Sequence, residues 1–353
     1  MSQPEIRVLL VDDSPLAIEL IRRMLAGAPG IVVVGTAGDG VQALRLIPSV
    51  HPDVVCTDLH MPVMDGYQLT REIMARHPLP ILVLSVSVQA EQEHNIFQAL
   101  QAGALDILAK PRGALGSDFG VVAHDLVTKI RILSGVKVAR RPRTSSAMPA
   151  LAWPALPRLR MVGLGASTGG PQALERILRQ LPASYPLPLL CVQHIAAGFM
   201  QALVDWLAAC CAIRVCCAEE GLAPQPGTAY FAPDQRHIEV DDAGLLRCSS
   251  ALMPGGQRPS VDLTFHTLAR HYGAGAVGVL LTGMGQDGAQ GMLDIVRAGG
   301  LTIAQDEKSS VVFGMPRCAI EQGGARHVLA LEHIGPALCA LATRAGAGRS
   351  EET

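Results

Sequence analysis

Short apolar runs alternate with helix-period segments from almost the first residue of this 353-residue chain. "IRVLLVDD" has the length and branched apolar content of a buried strand. "SPLAIELIRRMLA" follows with apolar residues at helical spacing, Ser14 placed to cap it and Pro15 at its first helical position. "IVVVGTA", "PDVVCTD", "PILVLSV" and "LDILAKP" supply four more strands, with helical patterns such as "GVQALRLIPSV" between them. Five strands interleaved with helices predict a doubly wound, five-stranded parallel sheet. Such a sheet gathers the polar residues at the carboxyl ends of its strands into one crevice. Here those residues are Asp12, Asp13, Asp58, Ser85 and Lys110.

The alternation stops at a basic stretch. Lys129 to Arg160 holds eight Lys and Arg and no Asp or Glu, and its middle is rich in proline without a hydrophobic period. We expect a domain at 1–134, a linker at 135–157 and a second domain at 158–345. A polyanion-binding role for the stretch lacks interleaved aromatics to stack bases. With a formal net charge of -2, neither nucleic acid nor membrane surfaces are expected as partners. Leu181 to Val204 carries no Asp, Glu, Lys or Arg, but Pro182, Pro186, Pro188, Gln193 and His194 oppose a membrane helix there. Asp12 and Asp13 arrive too early for a signal peptide. The nine cysteines, partly in the pairs Cys210–Cys211 and Cys216–Cys217, form no disulfide framework or zinc spacing. Reduced thiols in a cytoplasmic protein are expected.

Strand and helix patterns resume at "LRMVGLGAS" and "LPLLCVQH", and again at "AVGVLLTGMG" and "GLTIAQDE". The reading is a second α/β domain on a parallel sheet. "GTAYFAPDQRHIEVDDAGLLRCSS" alternates like a β-hairpin insertion.

Two chemistries are implied. In the first domain, carboxylates held together raise one another's pKa unless a cation neutralises them. Mg²⁺, a hard ion taking oxygen ligands and keeping waters, suits Asp12, Asp13 and Asp58. Asp58 then attacks the phosphorus of a small donor and forms an acyl phosphate. Ser85 hydrogen-bonds the phosphoryl oxygens and Lys110 pairs with them. The bland alternative is a set of solvated strand-end acids.

In the second domain, "GLGASTGG" follows a strand and precedes a helical pattern. As a dinucleotide fingerprint it is weak. The next strand should then end in an acid for a ribose, but it ends in Gln193 and His194. As a nucleophile turn, it presents Ser167 at a helix N-terminus that favours a developing oxyanion, and its glycines let substrate and backbone approach closely. His194 lies beside Ser167 if the two strands are parallel partners, and Asp287 in "LLTGMGQDG" can orient the imidazole. The order Ser, His, Asp and the absence of GxSxG set the chain apart from α/β-hydrolases. Each residue also has an ordinary reading, as a cap, a structural histidine and a turn aspartate. His237, His266, His271 and His327 compete for the base role; His266, in a helical pattern, and His237, in the hairpin stretch, lack the strand-end context of His194.

The motifs carry two resemblances. "LLVDDS", "DLHMPVMDG", "LVLSV" and "AKP" resemble the receiver domain of response regulators across about 5–130. This implies Asp58 as phosphoacceptor, Asp12 and Asp13 as Mg²⁺ ligands, and the His60 carbonyl as a further ligand. Many receivers carry an aromatic switch residue where this chain has Ile107. "GASTGGP", "VQHI", "AYFAP", "RPSVDLTFHTLA", "LTGMGQDGAQG" and "AQDEKSSVVFGMPRCAI" resemble the effector domain of the chemotaxis protein-glutamate methylesterases, the CheB family, across about 158–336. The linker and "LSVSV" are especially similar to the Wsp-type surface-sensing variant. The resemblance implies Ser167 as nucleophile, His194 as base and Asp287 as orienting acid, with Thr168 and the Met284 N–H helping at the oxyanion. It implies glutamate γ-methyl esters on methyl-accepting chemotaxis receptors as substrate, a chemotaxis-type histidine kinase as phosphodonor, and no cofactor for ester hydrolysis. Some members also hydrolyse glutamine side chains. The fusion implies that the unphosphorylated receiver restricts access to Ser167. A non-catalytic, phosphorylation-dependent scaffold on a receptor array is the alternative. A transcription-factor output would need a basic recognition helix, which the second domain lacks.

Overall fold

The computed structural model describes residues 5–85, 93–110, 119–138, 158–252 and 256–347. Residues 139–157 of the expected linker, Val86–Val88 of "LSVSV", Pro111 and the "GRSEET" tail lie outside the described residues. The chain divides into two compact units.

In the first unit, β1 (Ile6–Val11), α1 (Pro15–Ala26), β2 (Ile31–Ala37), α2 (Gly40–Val50), β3 (Val54–Asp58), α3 (Gly66–Arg76), β4 (Ile81–Ser85), α4 (Glu93–Ala102), β5 (Asp106–Ala109) and α5 (Phe119–Leu133) alternate strictly. The strand order is β2-β1-β3-β4-β5 and every pairing is parallel. α1 starts where its capping residue predicts. The Ser14 hydroxyl accepts the Ala17 N–H at 3.3 Å, and Pro15 supplies a first residue with no N–H to satisfy. The chain leaves β1 for β2 on one side and returns to β3 on the other. The crevice therefore opens over the ends of β1 and β3, where Asp12 and Asp58 sit.

The second unit runs β6 (Met161–Ala166), α6 (Gly170–Leu178), β7 (Leu189–Gln193), α7 (Met200–Cys210), β8 (Arg214–Cys217), β9 (Thr228–Phe231), β10 (His237–Val240), β11 (Leu246–Ser249), α8 (Val261–Tyr272), β12 (Ala276–Leu280), α9 (Ala289–Arg297), β13 (Leu301–Gln305), α10 (Met315–Glu321), β14 (His327–Leu329) and α11 (Leu331–Ala347). Seven strands form one sheet in the order β14-β13-β12-β6-β7-β9-β8, parallel throughout. Its switch point falls between β6 and β12, because the chain fills the β7 side first and then crosses over.

One expectation is corrected here. The stretch expected to be wholly hairpin splits in two. Thr228–Phe231 is a strand of the main sheet, parallel to both β7 and β8, and only β10 and β11 form the antiparallel hairpin. All four residues are buried and three of them, Ala229 to Phe231, have a partner on each side, so they gain more apolar contact inside the sheet than on a separate ribbon. The hairpin packs on α8, with the Thr264 hydroxyl donating to Ile238 O at 2.6 Å. All nine cysteines are free. Among the described residues, no helix is long and apolar enough to cross a membrane.

Candidate active site

Three adjacent strands at the centre of the second sheet carry the predicted residues. Ser167 follows β6, His194 follows β7, and Asp287 lies in the loop after β12. β6 and β7 are parallel partners with Ala166 opposite Gln193, so Ser167 and His194 emerge side by side. The His194 N–H donates to Ala166 O at 3.0 Å, the last rung between these segments. His194 Nε2 donates to Asp287 Oδ2 at 2.8 Å. That bond places the ring proton on Nε2 and leaves Nδ1 as the basic nitrogen. Among the described residues, the Ser167 hydroxyl makes no hydrogen bond with His194.

Asp287 is held mainly from α8. The Val261 N–H donates to Oδ2 at 2.8 Å, the Asp262 N–H to Oδ1 at 2.9 Å and the Ser260 hydroxyl to Oδ1 at 3.0 Å. Unpaired N–H groups and the positive end of the helix dipole favour an ionised carboxylate. Burial works to raise the Asp287 pKa. The hydrogen bond and charge of His194, with the α8 N–H groups, outweigh it and hold the carboxyl below its usual range.

The glycines of the Ser167 turn have a different role from the one expected. A Cβ on Gly163 would lie 2.7 Å from Phe265, and one on Gly165 would lie 2.4 Å from Val261. These two glycines bare β6 so that α8 can lie against it, which brings the start of α8 to Asp287. Room for substrate is not what demands them.

The competing histidines sit elsewhere. His237 is fully buried, with Nδ1 accepting the Ser260 N–H and Nε2 donating to Ala251 O, both at 3.0 Å. It fixes the residue that caps α8. His266 is exposed and paired with Asp294, His271 packs edge-on against Tyr272, and His327 lies on edge strand β14. Thr168 is buried, and its carbonyl accepts the Thr282 hydroxyl at 3.0 Å. Met284 stands 41% exposed in the loop between β12 and Asp287.

In the first unit, ligand oxygens of Asp12, Asp13 and Asp58 lie within 4.8 Å of one another. Lys110 Nζ reaches Asp12 Oδ2 at 2.6 Å and Asp58 Oδ2 at 3.0 Å. The Lys110 N–H donates to Ser85 O at 2.7 Å, so four of the five strand ends converge. Burial raises the Asp58 pKa most, Lys110 opposes it, and Asp12 adds to the rise. A trio of carboxylates, two buried and one exposed to solvent, is the donor chemistry that a hard divalent cation takes. His60 is exposed beside Asp58, and Ile107 is buried on β5 opposite Val83.

The CheB methylesterase family model matches residues 162–338, and that of the response regulator receiver domain matches 8–115. The protein-glutamate methylesterase/protein-glutamine glutaminase 3 of Anaeromyxobacter dehalogenans is 44% identical, over 94% of this chain and 98% of its own. This chain belongs to the CheB methylesterase family. A similarly named protein of Geobacter metallireducens is 41% identical over 96% of this chain and 99% of its own. The CheB methylesterase catalytic domain of Thermotoga maritima superposes with a TM-score of 0.51 at 36% identity, covering 52% of this chain and 98% of that domain.

Several residues that shape this CheB-type site were not singled out from sequence. Ser260 and Asp262 hold Asp287 through the start of α8. A serine before "VDLTFHTLA" is a readable helix start, but nothing in it says which carboxylate the helix faces. Thr282 and Gln305 buttress the other side, with Gln305 Oε1 accepting the Thr282 N–H at 2.8 Å. Asp262 is partly buried. Burial above all, with the neighbouring Asp287 charge, pushes its carboxyl up to about 6, against N–H donation from Gly291 and Gly288. The folded protein therefore holds this proton more tightly than the unfolded chain does. The contribution of Asp262 to stability is lost as pH rises from the unfolded value of 3.8 through about 6. We expect the melting temperature of Asp262→Asn, relative to the parent, to climb across that window and then level off. A gap that ignores pH would remove Asp262 as the cause.

Proposed function

We propose that this chain is a phosphorylation-controlled methylesterase that hydrolyses glutamate γ-methyl esters on the cytoplasmic helices of methyl-accepting chemotaxis receptors and releases methanol. The observation that carries the reading is the His194–Asp287 hydrogen bond beside Ser167 at the switch point of the sheet. Ser167 Oγ attacks the ester carbonyl while His194 Nδ1 takes its proton. Asp287 steadies the resulting imidazolium. His194 returns the proton to the departing methoxide oxygen, and methanol leaves. Water, deprotonated by the same nitrogen, then cleaves the glutamyl-serine ester. Thr168 and the Met284 N–H, which no group among the described residues accepts, support the oxyanion. A glutamine amide enters the same cycle with ammonia leaving instead of methanol, in keeping with the double name of the relatives. No observation favours a non-catalytic scaffold.

Residues 1–134 form the receiver, 135–157 the linker and 158–345 the esterase domain. A histidine kinase of the chemotaxis type phosphorylates Asp58, and the protein works in the cytoplasm. Asp12, Asp13, Asp58 and the His60 carbonyl would hold Mg²⁺, which when bound supplies positive charge toward the incoming phosphoryl oxygens. Asp58 Oδ2 is the attacking atom, while Ser85 and Lys110 bind the transferred group. Asp58 has an immediate partner in Lys110, which keeps one carboxylate oxygen oriented.

The test is methanol release from methylated receptor with and without a small phosphodonor. A phosphodonor should raise the parent rate about 10-fold or more, a usual size for coupled sites. Asp58→Asn should keep the basal rate and lose the response. An equal response in that variant would end the control reading.

A further inference from the structure

We propose that Gln193 is a positioning residue for hydrolysis, its side-chain amide tying the backbone of Ser167 to that of His194 over Gly170. The inference rests on reading Ser167 and His194 as nucleophile and base. Gln193 is the last residue of β7 and is 1% exposed. Nε2 donates to Ser167 O at 2.9 Å and to His194 O at 2.7 Å. The backbone ladder between these segments ends one step earlier, at the bond from the His194 N–H to Ala166 O. Beyond it the two chains part, Ser167 toward α6 and His194 toward α7. The amide supplies a further rung where the ladder has run out, at the two residues whose spacing matters most.

The other end of the amide shows what this arrangement is for. Among the described residues, buried Oε1 has no hydrogen-bond partner. An unpartnered buried carbonyl is a standing cost. Leu or Met would fill the same space without it, so packing does not explain a glutamine. Its two N–H donors do. Gly170 is the complementary feature. A Cβ there would lie 2.0 Å from Gln193 Oε1 and 2.8 Å from the Ala166 Cβ. The Gly170 N–H also donates to Ser167 O, at 2.7 Å, so that carbonyl is held from two directions.

Phosphodonor-activated full-length protein provides the assay, with methanol release read as kcat and KM separately. A fluorophosphonate that labels reactive serines gives a second readout without the receptor. Gln193→Met should lower kcat and the labelling rate about 10- to 100-fold, the scale of a displacement near 1 Å, with KM almost unchanged. Gln193→Glu, which sets carboxylate oxygens against two carbonyls, should lose at least as much. Gly170→Ala should show the same kcat loss in the parent but little further loss on top of Gln193→Met, because both act through one bridge. Parent-like kcat and labelling in folded Gln193→Met would overturn the proposal. So would fully additive losses in the double variant, even if Gln193→Met lowers stability. A methanol rate that Ser167→Ala leaves intact would instead overturn the nucleophile assignment, and this proposal with it.

Discussion

Ser167→Ala is expected to reduce methanol release by at least about 10⁴-fold while the protein stays folded. The change removes one oxygen and little else. The Ser167 N–H still donates to Thr282 O at 3.0 Å, and its carbonyl still accepts from Gly170 and Gln193. The Cβ that Gly283 accommodates is unchanged. Among the described residues, no bond that holds the turn therefore passes through the hydroxyl. The proposed phosphorylation of Asp58 lies in the other unit and should proceed normally, and the melting temperature of the variant checks that the unit carrying Ser167 is folded. Methanol release within a hundredfold of the parent would remove Ser167 as nucleophile.

Asp287→Asn should cost about 10⁴-fold, the scale seen when a triad carboxylate becomes an amide. The carboxylate accepts four donors: His194 Nε2, two α8 N–H groups and the Ser260 hydroxyl. An amide has one accepting oxygen. Its NH₂ must replace either Oδ1, facing the Asp262 N–H and the Ser260 hydroxyl, or Oδ2, facing the Val261 N–H and the ring nitrogen of His194. The first choice sets donors against the start of α8. The second accepts the wrong tautomer, with the proton moved to Nδ1 where the base is needed. Kinetics on methylated receptor, with the imidazole N–H resonance of His194 followed by NMR, will separate the two. A rate within tenfold of the parent would sink the orienting role.

The first unit was legible nearly residue by residue, because its signals are local. Ser14 and Pro15 announce α1, and each strand is a short run rich in apolar residues. The strand-end positions of Ser167, His194 and Asp287 were legible for the same reason. What escaped depends on partners distant in sequence. "TAYF" has no pattern that separates an inner parallel strand from a hairpin arm, since its neighbours are Leu189–Cys191 on one side and Arg214–Cys217 on the other. "RVCC" and "HVL" are edge strands too short to signal themselves. Gln193 was visible as a residue, but the bonds that matter run from its amide to two carbonyls, and backbone acceptors leave no mark in a sequence.

The bare face of β6 has a genetic consequence. Gly163 and Gly165 contribute no side chain, and Phe265 and Val261 occupy the space instead. A methyl group added at either position would push α8 outward, and α8 carries the donors that aim Asp287. Such a change lies inside the protein, on a strand buried along its whole length. Alleles at these two codons would nevertheless be scored in a signalling screen as defective enzymes rather than missing proteins.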